Sequence, residues 1–214
     1  MKKEAWNQFI NALSTEAYAL KVMGDFLESK KEPFEKAVAA LARAERIGAS
    51  GCGHTGIACQ HFVHLMCCIE RPARFISPAE AIHGATGFLQ KKDVMLLASR
   101  GGKTTELLPI IEICKQKKVT IIGMTENLAS PLARNSDILL PIKITRETDK
   151  YNTQGTTSFV VMAAVFDALQ AALIEETKFK TETFAVVHPG GAMGEQLKAK
   201  MQKFKDKINK RKEK

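Results

Sequence analysis

Apolar residues recur at helical spacing near the start of the chain, over residues 4–29 and again over 34–44. Apolar positions three or four residues apart predict amphipathic helices. Pro33 precedes the second segment, where the first turn of a helix tolerates proline. We therefore predict a helical extension over residues 1–44. In its first helix the apolar positions are Trp6, Phe9, Leu13, Leu20, Met23, Phe26 and Leu27.

The pattern changes after Ile47, where short apolar runs begin to alternate with helical stretches. Strands that are apolar on both faces and separated by helices indicate a parallel sheet covered on both sides. We predict an α/β fold, a doubly wound three-layer sandwich. Its strands are expected at 45–50, 73–77, 93–99, 119–125 and 137–142. Its helices are expected at 55–69, 78–85, 104–117, 129–135 and 156–175.

The charge of the chain is concentrated at its end. The formal net charge is +9, but residues 198–214 carry nine Lys or Arg against two Asp or Glu, which leaves +2 on residues 1–197. Phe204 is the only aromatic residue in this basic tail. A solvated tail is therefore favoured over a nucleic-acid arm, which uses a series of stacking aromatics. No nucleic-acid partner is expected.

Neither a signal peptide nor a disulfide framework is indicated by the sequence. The first 13 residues lack the apolar core of a signal peptide, and no apolar run approaches the ~18 to 20 residues of a spanning helix. The five cysteines are odd in number and include no CxxC pair, which argues against disulfides or a zinc ribbon. We expect a cytoplasmic protein with no membrane partner.

Glycines and hydroxyls cluster after three predicted elements, in "GASGCGHTG" (48–56), "SRGGKTTE" (99–106) and "TTS" (156–158). In an open parallel sheet the ligand lies beyond the carboxyl ends of the strands. Glycines let backbone N–H groups approach an anion there, and the start of a helix favours negative charge. The three clusters predict one bound phosphate. Candidate contacts in the two glycine loops are Gly51, Gly53, His54, Thr55 and Lys103.

Other ligands fit these loops less well. A GxGxxG motif with a downstream acidic residue is missing, and Leu97 stands where a P-loop needs its first glycine. His54, His61 and His64 suggest a metal, but no carboxylate or further thiol falls into register with them. No metal or cofactor is expected.

Four ionisable residues lie near the same loops. Glu106 follows the hydroxyl pair of its loop and is either a first-turn carboxylate or a functional group. His83 is expected in the last turn of the 78–85 helix, as an end-cap. Glu147, in "TRETDK", is expected to be exposed. His188 is the most conspicuous imidazole, because the Pro-Gly that follows it already supplies a turn.

Five segments together resemble one known family: "GCGHTG", "SPAEAIHG", "SRGGKTTEL", "TTSFVVMAAVFDALQAAL" and "FAVVHPGGAMGEQL". They resemble the sugar isomerase (SIS) domain, in its arabinose 5-phosphate isomerase branch, over about residues 45–197. The resemblance implies a five-stranded parallel, flavodoxin-like sheet and phosphosugar binding. It also implies aldose–ketose interconversion without an obligatory cofactor. In the family, paired CBS domains often follow the SIS domain, and no segment of this sequence resembles them.

The resemblance also implies residue roles and an assembly. Glu106, Glu147, His83 and His188 match the catalytic carboxylates and histidines of the family. A homodimer or homotetramer with shared active sites is implied. The phosphate would be held by Ser50, Ser99, Thr104 and Thr105, with Thr156, Thr157 and Ser158 lining the site.

We therefore expect an isomerase that interconverts ribulose 5-phosphate and arabinose 5-phosphate through an enediol. A carboxylate base and an imidazole suffice to move the protons. Arg100 and Lys103 are predicted to bring positive charge near the phosphate. A non-catalytic phosphosugar sensor of the same fold remains an alternative, as does an isomerase acting on a hexulose phosphate or an amino-sugar phosphate.

Overall fold

The computed structural model describes residues 1–192, 194–199 and 202 of the chain. The predicted basic tail at 198–214 lies mostly outside the described residues. The chain opens with two long helices, α1 (Lys3–Glu28) and α2 (Lys31–Arg43). The predicted helical N-terminal region is therefore confirmed.

A five-stranded sheet follows, and all of its strands run parallel. Its spatial order is β2-β1-β3-β4-β5. This is the flavodoxin-like order, in which a crevice forms where the direction of winding reverses, here between β1 and β3. The predicted fold class is confirmed. The strands are β1 (Ile47–Ser50), β2 (Ala73–Phe75), β3 (Val94–Ala98), β4 (Thr120–Thr125) and β5 (Ile138–Pro141).

The helices after β1 differ from the sequence prediction in three places. The helix expected at 78–85 ends at Ala81, so His83 lies beyond its last turn and the end-cap interpretation is wrong. The helix expected at 104–117 begins as a 3-10 turn, Thr105–Leu107. The helix α8 was not predicted. The helices are α3 (Gly53–Cys68), α4 (Pro78–Ala81), α5 (Leu108–Lys117), α6 (Pro131–Arg134), α7 (Thr156–Thr177) and α8 (Thr181–Val187).

The core is divided by the sheet into two layers. Alternate residues of β3 join opposite layers. Leu96 belongs to the cluster that includes residues of α1, α2, α3 and α7, whereas Met95 belongs to the cluster that includes residues of α5 and α6. In the first layer the rings of Phe62 and Phe166 lie 4.9 Å apart, and both side chains are fully buried. These rings join α3 to α7 on one face of the sheet.

By length and composition α7 is apolar enough to span a membrane, with a mean hydropathy of 1.8, contrary to the expectation that no stretch of the sequence is. In the described fold it contacts α1, α2 and α3, and residues such as Val161 and Leu173 belong to the core. A helix that is apolar all round is either buried in a protein or inserted in a membrane. Because α7 is packed within the protein, burial explains its apolar composition.

Removal of the Phe166 ring should strongly destabilise the fold. Phe166→Ala leaves a cavity between α3 and α7, and such substitutions cost about 3–5 kcal/mol. Leu128→Ala, at a position that is 56% exposed, should cost less than about 0.5 kcal/mol. Urea unfolding followed by circular dichroism measures both. Equal losses in the two variants would contradict this account of the core.

Candidate functional site

The loop after β3 folds tightly at the carboxyl edge of the sheet. The hydroxyls of Ser99 and Thr104 lie 2.8 Å apart, and the backbone N–H of Gly102 donates to Ser99 Oγ at 3.0 Å. Gly102 has a φ of +64°, and a Cβ there would collide with the hydroxyl of Ser130. Only glycine fits this position without strain. The loop thus holds two of the predicted phosphate ligands together.

The loop after β1 lies beside the start of α7. A Cβ on Gly155, the residue before α7, would lie 3.3 Å from Nδ1 of His54. His54 itself is exposed, and Gly53 adopts a φ of +55° at the beginning of α3. Gly51 is buried and lies close to the backbone of Thr55. The first and third predicted clusters are therefore neighbours.

Two buried hydroxyls at this edge lack partners. Ser50 ends β1, Thr157 lies in the first turn of α7, and neither is exposed at all. Ser50 Oγ and Thr157 Oγ1 make no hydrogen bond within the described part of the chain. A buried polar group without a partner costs about 1–3 kcal/mol. A polar ligand at the edge of the sheet would remove this cost.

Glu147 is buried, so the expectation that it is exposed is wrong. Its exposed fraction is 1%. Its Oε1 accepts a hydrogen bond from Arg100 at 2.5 Å. Its Oε2 accepts from the backbone N–H of Ser158 at 3.2 Å and from the hydroxyl of Thr156 at 3.4 Å. A cation and the start of a helix both stabilise a carboxylate, which explains how an acidic residue is accommodated here.

Arg100 binds a second carboxylate that sequence reasoning missed. Its Nε lies 3.0 Å from Oε2 of Glu126. Glu126 directly follows β4, so the rule that ligands gather at strand ends could have found it. Because the guanidinium of Arg100 binds two carboxylates, its positive charge is balanced by these two neighbours. Lys103 is exposed and has no ion pair among the described residues.

The loop that carries Glu147 is organised by two side chains that the sequence did not single out. Asn152 Oδ1 accepts from the backbone N–H of Glu147 at 2.6 Å. The carboxylate of Asp149 accepts backbone hydrogen bonds from Gln154, Thr153 and Tyr151. These hydrogen bonds lower the pKa of Asp149, and the bond from Gln154 has the largest effect. The loop is thereby held in one conformation ahead of α7.

Glu106 lies in the 3-10 turn that follows the β3 loop and is exposed. Its Oε2 accepts from the hydroxyl of Thr105 at 3.0 Å. It lies close enough to Cys52, in the loop after β1, to affect the thiol of that residue. The pKa of Cys52 is raised mainly by burial and, to a smaller extent, by the negative charge of Glu106. The two carboxylates thus differ sharply, since Glu106 is accessible whereas Glu147 is enclosed.

The two predicted catalytic histidines are not joined to this cluster. His83 is exposed and follows α4, which contacts the 3-10 turn that carries Glu106. His188 follows α8, where its ring lies 5.0 Å from that of Phe184 and its Nδ1 is buried without a partner. Within the described residues neither imidazole has a hydrogen bond or ion pair with a candidate site residue.

His61 and His64, two of the three histidines of α3, have separate partners. His61 Nε2 lies 2.8 Å from Asp167, and His64 Nε2 lies 3.7 Å from the thiol of Cys68. Among the residues that the structure describes, no group of three His, Cys, Asp or Glu is placed to hold a metal ion. All five cysteines are free thiols.

These features define a doubly wound α/β protein whose candidate site gathers hydroxyls, backbone N–H groups and carboxylates at a switch point of the sheet. Residues 40–172, more than half of the chain, match the family model described as the SIS domain. The chain belongs to this family, as its motifs predicted.

Similar proteins agree with this assignment. The chain is 35% identical over 162 residues to the arabinose 5-phosphate isomerase KdsD of Pseudomonas aeruginosa, covering 76% of this chain and 50% of that protein. A Listeria monocytogenes protein of known structure has 37% identity and a TM-score of 0.83, with 89% of this chain and 100% of that chain covered. An Escherichia coli CFT073 protein in complex with A5P has 26% identity and a TM-score of 0.79, with coverages of 88% and 100%. The chain spans about half the length of the curated relatives it matches.

Neutralising Glu106 should make the thiol of Cys52 more reactive. Glu106→Gln removes the charge that helps to raise the pKa of Cys52, so more thiolate forms at pH 8 and alkylation should be roughly twofold faster. Peptide mapping after timed exposure to iodoacetamide measures the rate. The exposed Cys67 is the internal control. An unchanged Cys52 rate would show that the carboxylate does not face the β1 loop.

Proposed function

We propose that this protein is an aldose–ketose isomerase of a sugar phosphate, and that its substrates are ribulose 5-phosphate and arabinose 5-phosphate. The observation that carries the proposal is the pair of buried, unpartnered hydroxyls, Ser50 and Thr157, at the same edge as the accessible carboxylate of Glu106. The hydroxyls are suited to binding an anion, and the carboxylate is suited to accepting a proton. The related proteins supply the choice of sugar, since one is an arabinose 5-phosphate isomerase and another holds A5P.

The phosphate binds between the β3 loop and the start of α7. Ser99 and Thr104 already adopt one compact arrangement, and Thr157 offers a free hydroxyl in the first turn of a 22-residue helix. Anions bind at such positions because the N–H groups and dipole of the helix face them. Ser50, Thr105 and Ser158 complete the proposed set, with Gly51, Gly53, His54, Thr55, Lys103 and Thr156 around it.

The sugar then lies against Glu106. In the ketose-to-aldose direction Glu106 takes the proton from C1, the electrons of the C1–H bond form the C1=C2 bond of the enediol, and the carbonyl oxygen at C2 gains a proton. The proton is returned at C2 while O1 loses its own. An imidazole suits the transfers between oxygens because it can donate and accept near neutral pH. His54 lies beside the start of α7, and His83 and His188 are the other candidates.

A non-catalytic phosphosugar sensor is the second candidate function. It is favoured by the separation, within one chain, of His83 and His188 from the cluster around Glu106. A sensor requires the anion-binding groups but no proton carriers. Isomerisation of a hexulose phosphate or an amino-sugar phosphate would need the same anion-binding and proton-transfer groups as the pentulose phosphate, but a differently shaped pocket around the sugar.

The purified protein should convert ribulose 5-phosphate to arabinose 5-phosphate, as followed by NMR. Glu106→Gln should lower kcat by about 10²- to 10⁴-fold, the usual contribution of a general base. Glu112→Gln, at an exposed position on α5, is the matched control and should retain full activity. Binding without turnover, across pentulose, hexulose and amino-sugar phosphates, would favour the sensor instead.

We further propose that the protein is a cytoplasmic homodimer or homotetramer whose sites are shared between subunits. Two exposed apolar surfaces support an interface with a second copy. Trp6, Phe9, Ile10 and Leu13 form a stripe on α1 in which every side chain is at least 45% exposed. Val186, on α8, is 71% exposed and lies two residues before His188. Apolar patches of this kind mark interaction surfaces, and a second subunit could bring His188 to the site. The free cysteines fit a reducing compartment.

Mixing two inactive variants should restore activity if His188 acts on the neighbouring subunit. In a mixed dimer of Glu106→Gln and His188→Ala chains, one site receives both wild-type residues, so random mixing restores roughly a quarter of the activity in a symmetric dimer. Subunits are exchanged by mild dissociation, and the mass is checked by light scattering. Lack of any recovery in verified mixed oligomers would place both residues in one chain's site.

A further inference from the structure

The guanidinium of Arg100 lies between two carboxylates that come from different parts of the chain. Its NH1 group binds Glu147 Oε1 at 2.5 Å and its Nε binds Glu126 Oε2 at 3.0 Å. The main chain of Arg100 is held as well, because its carbonyl oxygen accepts from Thr125 Oγ1 at 2.9 Å and from the N–H of Glu126 at 3.0 Å. Arg100 is therefore fixed at both ends.

The second oxygen of each carboxylate accepts a hydrogen bond from the backbone of another segment. Glu126 Oε1 accepts from the backbone N–H of Ile144 at 3.2 Å, in the segment that follows β5. Glu147 Oε2 accepts from the N–H of Ser158, in the first turn of α7. Arg100 thus joins three pieces of the crevice: its own loop, the end of β4, and the segment that leads into α7. The first and last of these carry the proposed phosphate ligands.

Both carboxylate oxygens of Glu147 are engaged in this arrangement. One oxygen is occupied by Arg100, and the other by Thr156 and Ser158. Glu147 is thus buried, with 1% of the residue exposed, and both of its oxygens already have partners within the protein. Glu106 differs on both counts, since it is exposed and its carboxylate accepts a hydrogen bond from the neighbouring hydroxyl of Thr105 rather than from a cation.

We propose that Arg100 is a positioning residue which, through Glu147 and Glu126, aligns the β3 loop with the start of α7, and that Glu147 is part of this anchor rather than a proton carrier. The inference rests on the proposed function. It assigns to Glu106 the proton transfer and to the Arg100–Glu147–Glu126 cluster the geometry of phosphate binding.

Arginine is specifically suited to this position. Its planar guanidinium offers several N–H groups in fixed directions, so that two separate carboxylates can bind at once. A lysine ammonium is a single point of charge and cannot reproduce both contacts in the same geometry. Removing one member of a buried ion pair leaves the other without compensation, whereas removing both is much less costly. This asymmetry makes the cluster testable by paired substitutions.

The test compares Arg100→Gln, Glu147→Gln and the double variant, with Arg134→Gln on α6 as a matched control at an exposed arginine. The measurements are KM and kcat for ribulose 5-phosphate, and the Kd of inorganic phosphate by calorimetry. Both single variants should raise KM and the phosphate Kd by roughly tenfold or more, with smaller changes in kcat, because misplaced binding groups weaken positioning. The double variant should lose no more than Arg100→Gln. Arg100→Lys should recover only part of the loss.

Hydrogen exchange provides a readout that needs neither turnover nor ligand. In Arg100→Gln, amide exchange should accelerate in both residues 99–106 and residues 155–160, since these segments lose their common anchor. If Arg100→Gln does not fold, Glu126→Gln keeps a polar side chain at the same place and should show the same paired effect more weakly. Unchanged exchange in either segment overturns the alignment.

The kinetic results separate this inference from the proposed function. If Glu147→Gln lowers kcat as deeply as Glu106→Gln while the phosphate Kd stays at the wild-type value, Glu147 carries a proton and the inference is wrong. If the wild-type protein turns over none of the sugar phosphates, the isomerase proposal fails, but hydrogen exchange still decides whether Arg100 couples the two segments.

Discussion

The packing of α7 over the sheet is the constraint on which the site depends. α7 contacts three other helices, and its Phe166 lies against Phe62 of α3 in the larger core layer. Because core residues recur along the helix, its starting point cannot shift without disturbing that core. Thr157 and Ser158 are thereby fixed at the carboxyl edge of the sheet, close to the loops that follow β1 and β3. The fold produces the crevice, and the loop residues determine what it can bind.

Much of this architecture is predictable because the relevant signals are local. Strands buried on both faces read as continuous apolar runs, as in Val94–Ala98, and helices between them indicate parallel pairing. Since parallel strands end at the same edge, their order along the chain is enough to predict that the glycine and hydroxyl loops lie together. The exception is α8, whose sequence "TETFAVV" contains β-branched and aromatic residues that favour helices only weakly.

The burial of Glu147 was not predictable from its own neighbourhood. The charged segment around it is typical of an exposed loop, and its principal partner, Arg100, lies 47 residues earlier in the chain. A contact of that separation leaves no periodic pattern in the sequence. His83 shows the same limit on a smaller scale, because where α4 ends is decided by the turn after Ala81 and not by the glycine that follows the histidine. Strand ends locate a site, but they do not show which charges within it neutralise one another.

The distribution of charge suggests how an anion is held. The positive charge of Arg100 is matched by two carboxylates, one of them buried, so that this cluster offers no net attraction to a phosphate. Among the described residues of the three predicted clusters (48–56, 99–106 and 156–158), Lys103 is the lysine or arginine without an ion pair, and it is exposed to solvent. For the proposed phosphate, attraction would then come mainly from hydroxyls, backbone N–H groups and the start of α7, groups whose strength depends on orientation more than on charge. A site of this kind binds well only when its loops are held in register. In its proposed role, Arg100 therefore contributes more by aligning those loops than it could by contacting the phosphate itself.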